Sequence, residues 1–266
     1  MNNSPIGIFD SGIGGLTVVK EIRKALPNED IVYLGDTARL PYGTKSYDAI
    51  IQFSRENTKF LLGRAVKCIL IACYSSTSVA LEILQKEFSV PIIGVIKPGV
   101  KKAMELTKNN KIGVIGTSLT IHSGAYEKAF RELNAKVELL GRACPLFVPL
   151  VEEGLIDHPA TEMIARDYLV PLKKDGIDTL LLGCTHFPLL LNVIKRVLGD
   201  INYVDASVEL GKEIAFILGE KNILNPSGSG NITVYLTDFS MNFKEIAERF
   251  LGEPLKNYFR AVPGTM

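Results

Sequence analysis

The chain has no tryptophan, only three histidines among 266 residues, and no excess of either charge. Thirty lysines and arginines face 29 aspartates and glutamates, which leaves a net charge of +1. Proteins that bind nucleic acids or anionic membranes usually carry an excess of positive charge, which this chain does not have. We therefore expect a small-molecule enzyme or an interaction protein, with no nucleic-acid partner.

Long apolar runs are also absent. No segment reaches the roughly 18 uninterrupted apolar residues of a membrane span, and the N-terminal MNNSPIGIFDSG lacks the charged-then-apolar pattern of a secretory signal. We expect a cytoplasmic protein with no membrane partner. The cysteines form no CxxC pair and no cysteine–histidine spacing that would mark a zinc site, so we expect free thiols and no metal site. These cysteines are Cys68, Cys73, Cys144 and Cys184.

Short runs of valine, isoleucine and leucine alternate with amphipathic helical stretches, such as the helix predicted over residues 17–26. This pattern predicts parallel sheets covered by helices on both faces. The predicted strands are residues 6–10, 31–36, 68–73, 91–95, 111–116, 136–141, 179–184, 201–206 and 232–237.

The strand pattern repeats along the chain. The runs at Ile6 and Val32 match runs 106 residues later, and those at Cys73 and Pro91 match runs 111 residues later. Any alternating chain repeats loosely, which is the alternative explanation. A true repeat predicts an α/β protein of two pseudo-symmetric doubly wound domains with mainly parallel sheets and an active site in the cleft between them. The first domain would comprise residues 1–97 and 208–266, and the second residues 98–207.

Ligands of parallel α/β sheets bind beyond the carboxyl ends of the strands, where this chain places many polar side chains. Two of them, Cys73 and Cys184, stand at equivalent ends of the two halves. A thiolate on one side of a carbon centre and a thiol on the other could invert that centre by proton transfer, without a cofactor. Asp10 and His186 could tune the thiols. The other residues at these ends are Ser11, Asp36, Thr37, Ser75, Ser76, Thr117, Thr120, Cys144 and Thr185.

Other interpretations of these features remain open. A free cysteine at the end of an apolar strand is often a small buried hydrophobic residue, which is our expectation for Cys68 and Cys144. The glycine loop DSGIGGLT opens a helix as phosphate-binding loops do, but Thr17 stands where a dinucleotide motif has its last glycine. The amides of this loop could instead hold a substrate carboxylate.

Five segments carry a resemblance to a known family: IGIFDSGIGGLTV, VYLGDTARLPYG, IGVIGT, CPLFVPLVEEG and GCTHFPLL. In this order they closely resemble the glutamate racemases of the aspartate/glutamate racemase family, over nearly the whole chain. The resemblance implies an isomerase that interconverts L- and D-glutamate without a cofactor. It also implies a supply of D-glutamate for peptidoglycan in cell-wall biogenesis, and a homodimer.

The resemblance also assigns residues to roles. It implies the catalytic residues Cys73, Cys184, Asp10, Glu152 and His186, and it alone selects Glu152. The substrate-binding residues that it implies are Asp10, Ser11, Tyr42, Gly43, Tyr74, Ser75, Thr185 and His186.

The chain departs from this family after its first catalytic cysteine. The usual motif resembles A-C-N-T-A, whereas residues 72–76 read A-C-Y-S-S. Tyr74 therefore replaces an asparagine expected to hydrogen-bond the substrate, and it has a larger ring and no amide. Two alternatives follow: a racemase of another small amino acid such as aspartate, or a glutamate-binding protein with impaired turnover. A thiol redox protein is disfavoured because no CxxC pair is present.

Overall fold

The computed structural model describes residues 3–241 and 243–261. All the strand pairs in this part of the chain are parallel. The strands are β1 (Ile6–Asp10), β2 (Ile31–Gly35), β3 (Cys68–Ile71), β4 (Ile92–Gly94), β5 (Lys111–Gly116), β6 (Glu138–Ala143), β7 (Thr179–Gly183), β8 (Asn202–Val204), β9 (Ile232–Leu236) and β10 (Tyr258–Arg260).

Helices connect most of the strands. They are α1 (Leu16–Ala25), α2 (Tyr47–Leu62), α3 (Tyr74–Glu87), α4 (Ile96–Leu106), α5 (Ser118–His122), α6 (Ala125–Glu132), α7 (Phe147–Glu152), α8 (Pro159–Lys174), α9 (Leu191–Leu198), α10 (Ala206–Glu220) and α11 (Phe243–Leu251). Short 3₁₀ helices cover Thr37–Arg39, Tyr42–Thr44 and Phe187–Leu190. Within the described residues, no helix is both long and apolar enough to cross a membrane.

The strands form two sheets, and the predicted fold class of two parallel-sheet α/β domains is confirmed. The first sheet has the order β10-β9-β2-β1-β3-β4 and the second the order β6-β5-β7-β8. Strands β2-β1-β3-β4 of the first sheet thus have the same order as the whole second sheet. The boundaries at residues 97/98 and 207/208 stay a prediction. They fall near the starts of α4 and α10, which pack against each other.

The strand register confirms the later part of the predicted repeat. Ile6 lies beside Cys68 in the first sheet, and its counterpart Ile112 lies beside Thr179 in the second. Cys68 and Thr179 are 111 residues apart, the same offset that relates Cys73 to Cys184. The two cysteines therefore follow equivalent strands at equivalent distances.

The predicted match between the second strands of the two halves is wrong by two residues. Val32 pairs with Gly7, and the residue that pairs with the equivalent Gly113 is Leu140. The prediction had matched Val32 to Glu138, because both runs contain a Leu-Gly pair. Side chains alternate between the faces of a sheet with a period of two, so this slip leaves the assignment of residues to the two faces unchanged.

Several predicted strands have different ends in the structure. The third and seventh strands stop at Ile71 and Gly183, before the cysteines, and the sixth begins two residues later than predicted. The backbone leaves the sheet at these points, so Cys73 and Cys184 lie in the turns that lead to the next helices. Strand β10 was not predicted; its three residues are all exposed and it lies at a sheet edge.

A buried ion pair anchors the segment that returns to the first sheet. Lys67 Nζ lies 2.5 Å from Glu29 Oε2, and the two side chains are at most 1% exposed. Lys67 also donates to the carbonyl of Ile223 at 2.8 Å, and Glu29 Oε1 accepts from the backbone amide of Asn225 at 2.8 Å. The pair therefore holds the chain just before β9.

We expect Lys67→Met to lower the free energy of unfolding by about 3–5 kcal/mol, because it leaves a buried carboxylate uncompensated. The double variant Lys67→Met/Glu29→Leu should recover much of this loss. Urea denaturation measures both effects. Lys102→Met breaks the exposed pair with Glu105 and is the matched control, for which we expect an unchanged midpoint. Equal losses in the single and double variants would contradict the prediction.

Candidate active site

The carboxyl ends of strands from both domains meet at one small cavity. Nine of the eleven residues predicted for the site line it, and Asp10 and Glu152 lie outside this lining. The cavity measures about 30 Å³, which is room for about two or three water molecules. The nine lining residues are Ser11, Tyr42, Gly43, Cys73, Tyr74, Ser75, Cys184, Thr185 and His186.

Cys73 lies at the N-terminus of α3. Its Sγ accepts a hydrogen bond from the backbone amide of Ser76 at 3.5 Å. Burial and, to a smaller extent, the negative charge of Asp10 raise the pKa of the Cys73 thiol to about 12, although hydrogen bonds from Ser76 and Ser11 act in the opposite direction. Because the surroundings favour the thiol, formation of a thiolate at Cys73 depends on these donors.

Asp10 ends β1 and is completely buried. Its Oδ2 accepts from the amides of Gly15 at 2.9 Å and Gly12 at 3.2 Å. Its Oδ1 has no hydrogen-bond partner among the described residues. Burial raises the pKa of Asp10, whereas the charge of His186 and the backbone amides lower it. One carboxylate oxygen is therefore free to accept a hydrogen bond from a ligand.

On the opposite side, Cys184 belongs to a chain of polar contacts. Its Sγ lies 3.8 Å from Nδ1 of His186, and Nε2 of His186 lies 3.0 Å from Oε1 of Glu152. Burial lowers the pKa of His186, but hydrogen bonds with Cys184 and Glu152 outweigh it and raise that pKa to about 10. His186 is thus an imidazolium at neutral pH, placed where it can stabilise a thiolate at Cys184.

Glu152, the last residue of α7, connects this chain of contacts to the surface. Its side chain is 27% exposed and also lines a neighbouring cavity of about 320 Å³. Cys184, His186 and Glu152 therefore form a continuous path from the buried cleft towards this larger space. A proton could leave or reach the second thiol along such a path.

Tyr74 forms part of the cavity wall and is only 4% exposed. It belongs to the same buried cluster as Tyr126 and Cys184 of the second domain. Burial raises the pKa of the Tyr74 hydroxyl far above its usual value, with smaller contributions from Tyr126 and Asp205. The ring therefore fills space between the two domains.

Tyr42 lines the cavity, but its hydroxyl is hydrogen-bonded to residues of the first domain. The hydroxyl donates to Asp36 and accepts a hydrogen bond from Asn57 Nδ2 at 3.1 Å. The neighbouring Gly43 packs closely on the second domain, since a Cβ there would lie 2.5 Å from Cβ of Thr117. This loop brings the two domains together at the rim of the cavity.

Hydroxyl groups bridge the domains on both sides of the cavity. Ser75 Oγ lies 3.0 Å from Thr117 Oγ1 and 3.3 Å from Thr120 Oγ1. On the other side, Thr17 Oγ1 donates to the carbonyl of Thr185 at 3.1 Å. Sequence reasoning treated Thr17 only as a missing glycine, because a contact across 168 residues leaves no local signal.

The glycine loop brings α1 against the second domain. A Cβ on Gly14 would lie 2.5 Å from Cε1 of His186 and 2.6 Å from Oγ1 of Thr185. A glycine is needed here for close approach of the backbone. This contact explains the glycine without a bound phosphate.

The other two cysteines are buried in the core, as predicted. All four cysteines are free thiols, and burial raises the pKa of Cys68 to about 12. Among residues 3–241 and 243–261, no group of three or more histidine, cysteine, aspartate or glutamate side chains is arranged to hold a metal ion.

The two α/β domains each contribute one thiol to a shared cavity. The Asp/Glu/Hydantoin racemase family matches residues 6–210. The chain belongs to this family.

Similar proteins cover almost the entire chain. The glutamate racemase of Geobacter metallireducens is 47% identical over 96% of this chain and 95% of its own length. That of Aquifex aeolicus is 45% identical over 94% of this chain and 95% of its own. The crystal structure of the Francisella tularensis glutamate racemase in complex with D-glutamate matches with a TM-score of 0.94, 37% identity and 100% coverage of both chains. The Bacillus anthracis isoform RacE1 matches with a TM-score of 0.93, 40% identity and 98% coverage of both.

We expect Gly14→Ala to lower the pKa of His186 below about 10, because the added methyl group displaces the ring from its hydrogen-bond partners. NMR titration of the histidine side chains measures this shift, and only three histidines need assignment. Gly219→Ala is the control, since its Cβ would meet nothing closer than 3.7 Å. A His186 titration unchanged in Gly14→Ala would contradict the geometry.

Proposed function

We propose that this protein interconverts L- and D-glutamate by two-base proton transfer at the α-carbon, with Cys73 acting on one face and Cys184 on the other. The observation that carries the proposal is the position of the two thiols, which follow equivalent strands and line the same cavity. Relatives named glutamate racemase, one of them in complex with D-glutamate, support the choice of substrate.

In this mechanism one cysteine is a thiolate and the other a thiol when the substrate binds. The thiolate removes the α-proton and the thiol returns a proton to the opposite face, so the two cysteines exchange protonation states in each turnover. The imidazolium of His186 stabilises the thiolate of Cys184. Glu152 holds His186 in its charged form and completes a route for proton exchange with solvent.

Residues at the rim of the cavity hold the charged groups of glutamate. The free Oδ1 of Asp10 is suited to the ammonium group. The hydroxyls of Ser11, Ser75 and Thr185 are suited to the carboxylates. Ser75 can donate to a carboxylate while it accepts from Thr117. Tyr42, Gly43, Tyr74 and His186 complete the binding surface in this proposal.

The wider role follows from the resemblance to glutamate racemases. The product D-glutamate would serve peptidoglycan synthesis, and hence cell-wall biogenesis and cell shape. The protein would work in the cytoplasm as a homodimer and without a cofactor. Each subunit would consist of a first domain of residues 1–97 and 208–266 and a second domain of residues 98–207.

Exchange of the α-proton tests the two-base mechanism. We expect Cys73→Ser and Cys184→Ser each to reduce racemisation about 1,000-fold, because each removes one of the two proton-transfer groups. In D₂O, the wild-type protein should place deuterium at the α-carbon of glutamate as it inverts. Any exchange that remains in a single variant should affect one enantiomer, and the two variants should affect opposite ones.

Circular dichroism measures inversion and proton NMR measures loss of the α-proton signal. Cys68→Ser and Cys144→Ser are matched controls that should keep wild-type rates. Racemisation at the normal rate in the Cys184→Ser variant would rule out the two-base assignment.

A second candidate is a racemase of a shorter amino acid such as aspartate. The observation in its favour is the ring of Tyr74 in the wall of a cavity of about 30 Å³. A third candidate is a binding protein without turnover, which would bind glutamate but leave its α-proton in place.

Substrate competition separates these candidates. We expect kcat/KM for glutamate to exceed that for aspartate by about tenfold or more, since one methylene in a fitted pocket produces a discrimination of this order. Tyr74→Asn should widen the cavity and raise kcat/KM for glutamate, whereas Tyr74→Phe keeps the ring and serves as control. A wild-type preference for aspartate would support the second candidate instead.

A further inference from the structure

Ser76 has a buried hydroxyl that makes no well-formed hydrogen bond with the described residues, yet its side chain is close enough to lower the pKa of the Cys73 thiol. The residue is fully buried in the first turn of α3, and its Oγ makes no hydrogen bond within the described part of the chain. Most buried polar groups have a partner, so an unpaired hydroxyl calls for a functional explanation.

The neighbouring hydroxyls of α3 are already engaged. Ser75 contacts Thr117 and Thr120. Thr77 donates to the carbonyl of Ile71 at 3.1 Å, and Ser78 donates to that of Ser75 at 2.8 Å. Of the four hydroxyl side chains at positions 75–78, that of Ser76 is therefore the one left to donate elsewhere.

The sulfur of Cys73 is an acceptor within the influence of the Ser76 side chain, which lowers the pKa of the thiol. Cys73 is the N-cap of α3 and Ser76 is the third residue of the helix, a position from which a side chain can reach back to the N-cap residue. The backbone amide of Ser76 already donates to Cys73 Sγ at 3.5 Å. A hydroxyl proton rotates freely, so it can turn to the sulfur when the sulfur becomes a stronger acceptor.

We propose that Ser76 is a positioning residue for Cys73, whose hydroxyl donates a hydrogen bond to Sγ when the sulfur is a thiolate. The bond weakens when the sulfur is protonated, because a neutral thiol is a poor acceptor. Ser76 keeps its own proton throughout. Its effect is to favour the anionic form of Cys73, and this role rests on the proposed function of Cys73 as a base.

The charges around Cys73 show why such a donor matters. The titratable groups that face it are Asp10, Tyr33 and Tyr42 of the first domain, with Cys184 and His186 across the cavity. Burial and Asp10 both raise the pKa of Cys73, and the donors that oppose them are Ser76 and Ser11. Ser76 also stands where the motif described above has alanine, so this donor is a feature of the present chain.

Alkylation of Cys73 measures this effect without depending on turnover. At pH 7–10 the rate with iodoacetamide follows the small thiolate fraction, since the pKa of Cys73 is about 12. We expect Ser76→Ala to lower the Cys73 rate about five- to tenfold at every pH in this range. Tandem mass spectrometry of the full-length protein separates Cys73 from Cys68, whose rate should not change.

Ser54→Ala is the matched control. Ser54 is likewise fully buried with an unpaired hydroxyl in α2, so its replacement removes the same group without the thiol contact. It should leave the alkylation rate of Cys73 unchanged. Both alanine variants should unfold at temperatures no lower than the wild-type protein, since each loses a buried group that makes no hydrogen bond.

Kinetics provide a second readout. In Ser76→Ala, kcat/KM should fall by the same factor for L- and D-glutamate, because the equilibrium constant of a racemisation is one. The pH at which kcat/KM rises should also be higher in this variant than in the wild-type protein. An unchanged Cys73 alkylation rate in Ser76→Ala would overturn the inference even if the wild-type protein racemises glutamate. Absence of racemisation in the wild-type protein would overturn the proposed function, and the alkylation rates would still decide whether Ser76 favours the thiolate.

Discussion

Burial of the two thiols is the constraint on which the active site depends. Burial disfavours an anion, and at Cys73 burial and the charge of Asp10 together raise the pKa to about 12; each pKa unit corresponds to about 1.4 kcal/mol. The protein counters burial differently on its two sides. Beside Cys184 it places an imidazolium, held in its charged form by Glu152. Beside Cys73 it uses neutral donors, the amide of Ser76 and nearby hydroxyls.

This chemical asymmetry is built on a symmetric fold. With the offset of 111 residues, Ser75 and His186 occupy equivalent positions after the two cysteines. Ser75 bonds to a threonine of the other domain, whereas His186 pairs with a carboxylate of its own domain. Asp10, in turn, is matched by Gly116 at the end of β5. The equivalent strands therefore fix where the thiols lie, while non-equivalent neighbours give each thiol its own electrostatic surroundings.

A feature could be predicted from the sequence when it depends on residues that are close together in the chain. Nine strands were found because buried strands of a parallel sheet are continuous apolar runs, and β10 was missed because its exposed edge position needs no such run. Both cysteines, Asp10 and His186 were predicted because ligands of parallel α/β sheets bind beyond the carboxyl ends of the strands. Glu152 lies at the end of a short helix, 34 residues before His186, and not at the end of a strand. Only the family resemblance selected it. The unpaired hydroxyl of Ser76 has no sequence signature, because it is defined by partners that other side chains have already taken.

The hydroxyl bridges join the two domains on both sides of the cavity. Ser75 bonds to Thr117, and Thr17 donates to the carbonyl of Thr185. A serine hydroxyl has one proton to donate and two lone pairs, so Ser75 can accept from Thr117 and still donate to a third group. Because Ser75 and Thr117 both line the cavity, a ligand at this point can contact both domains at once. The fold therefore builds one binding surface from two domains that are far apart in the sequence.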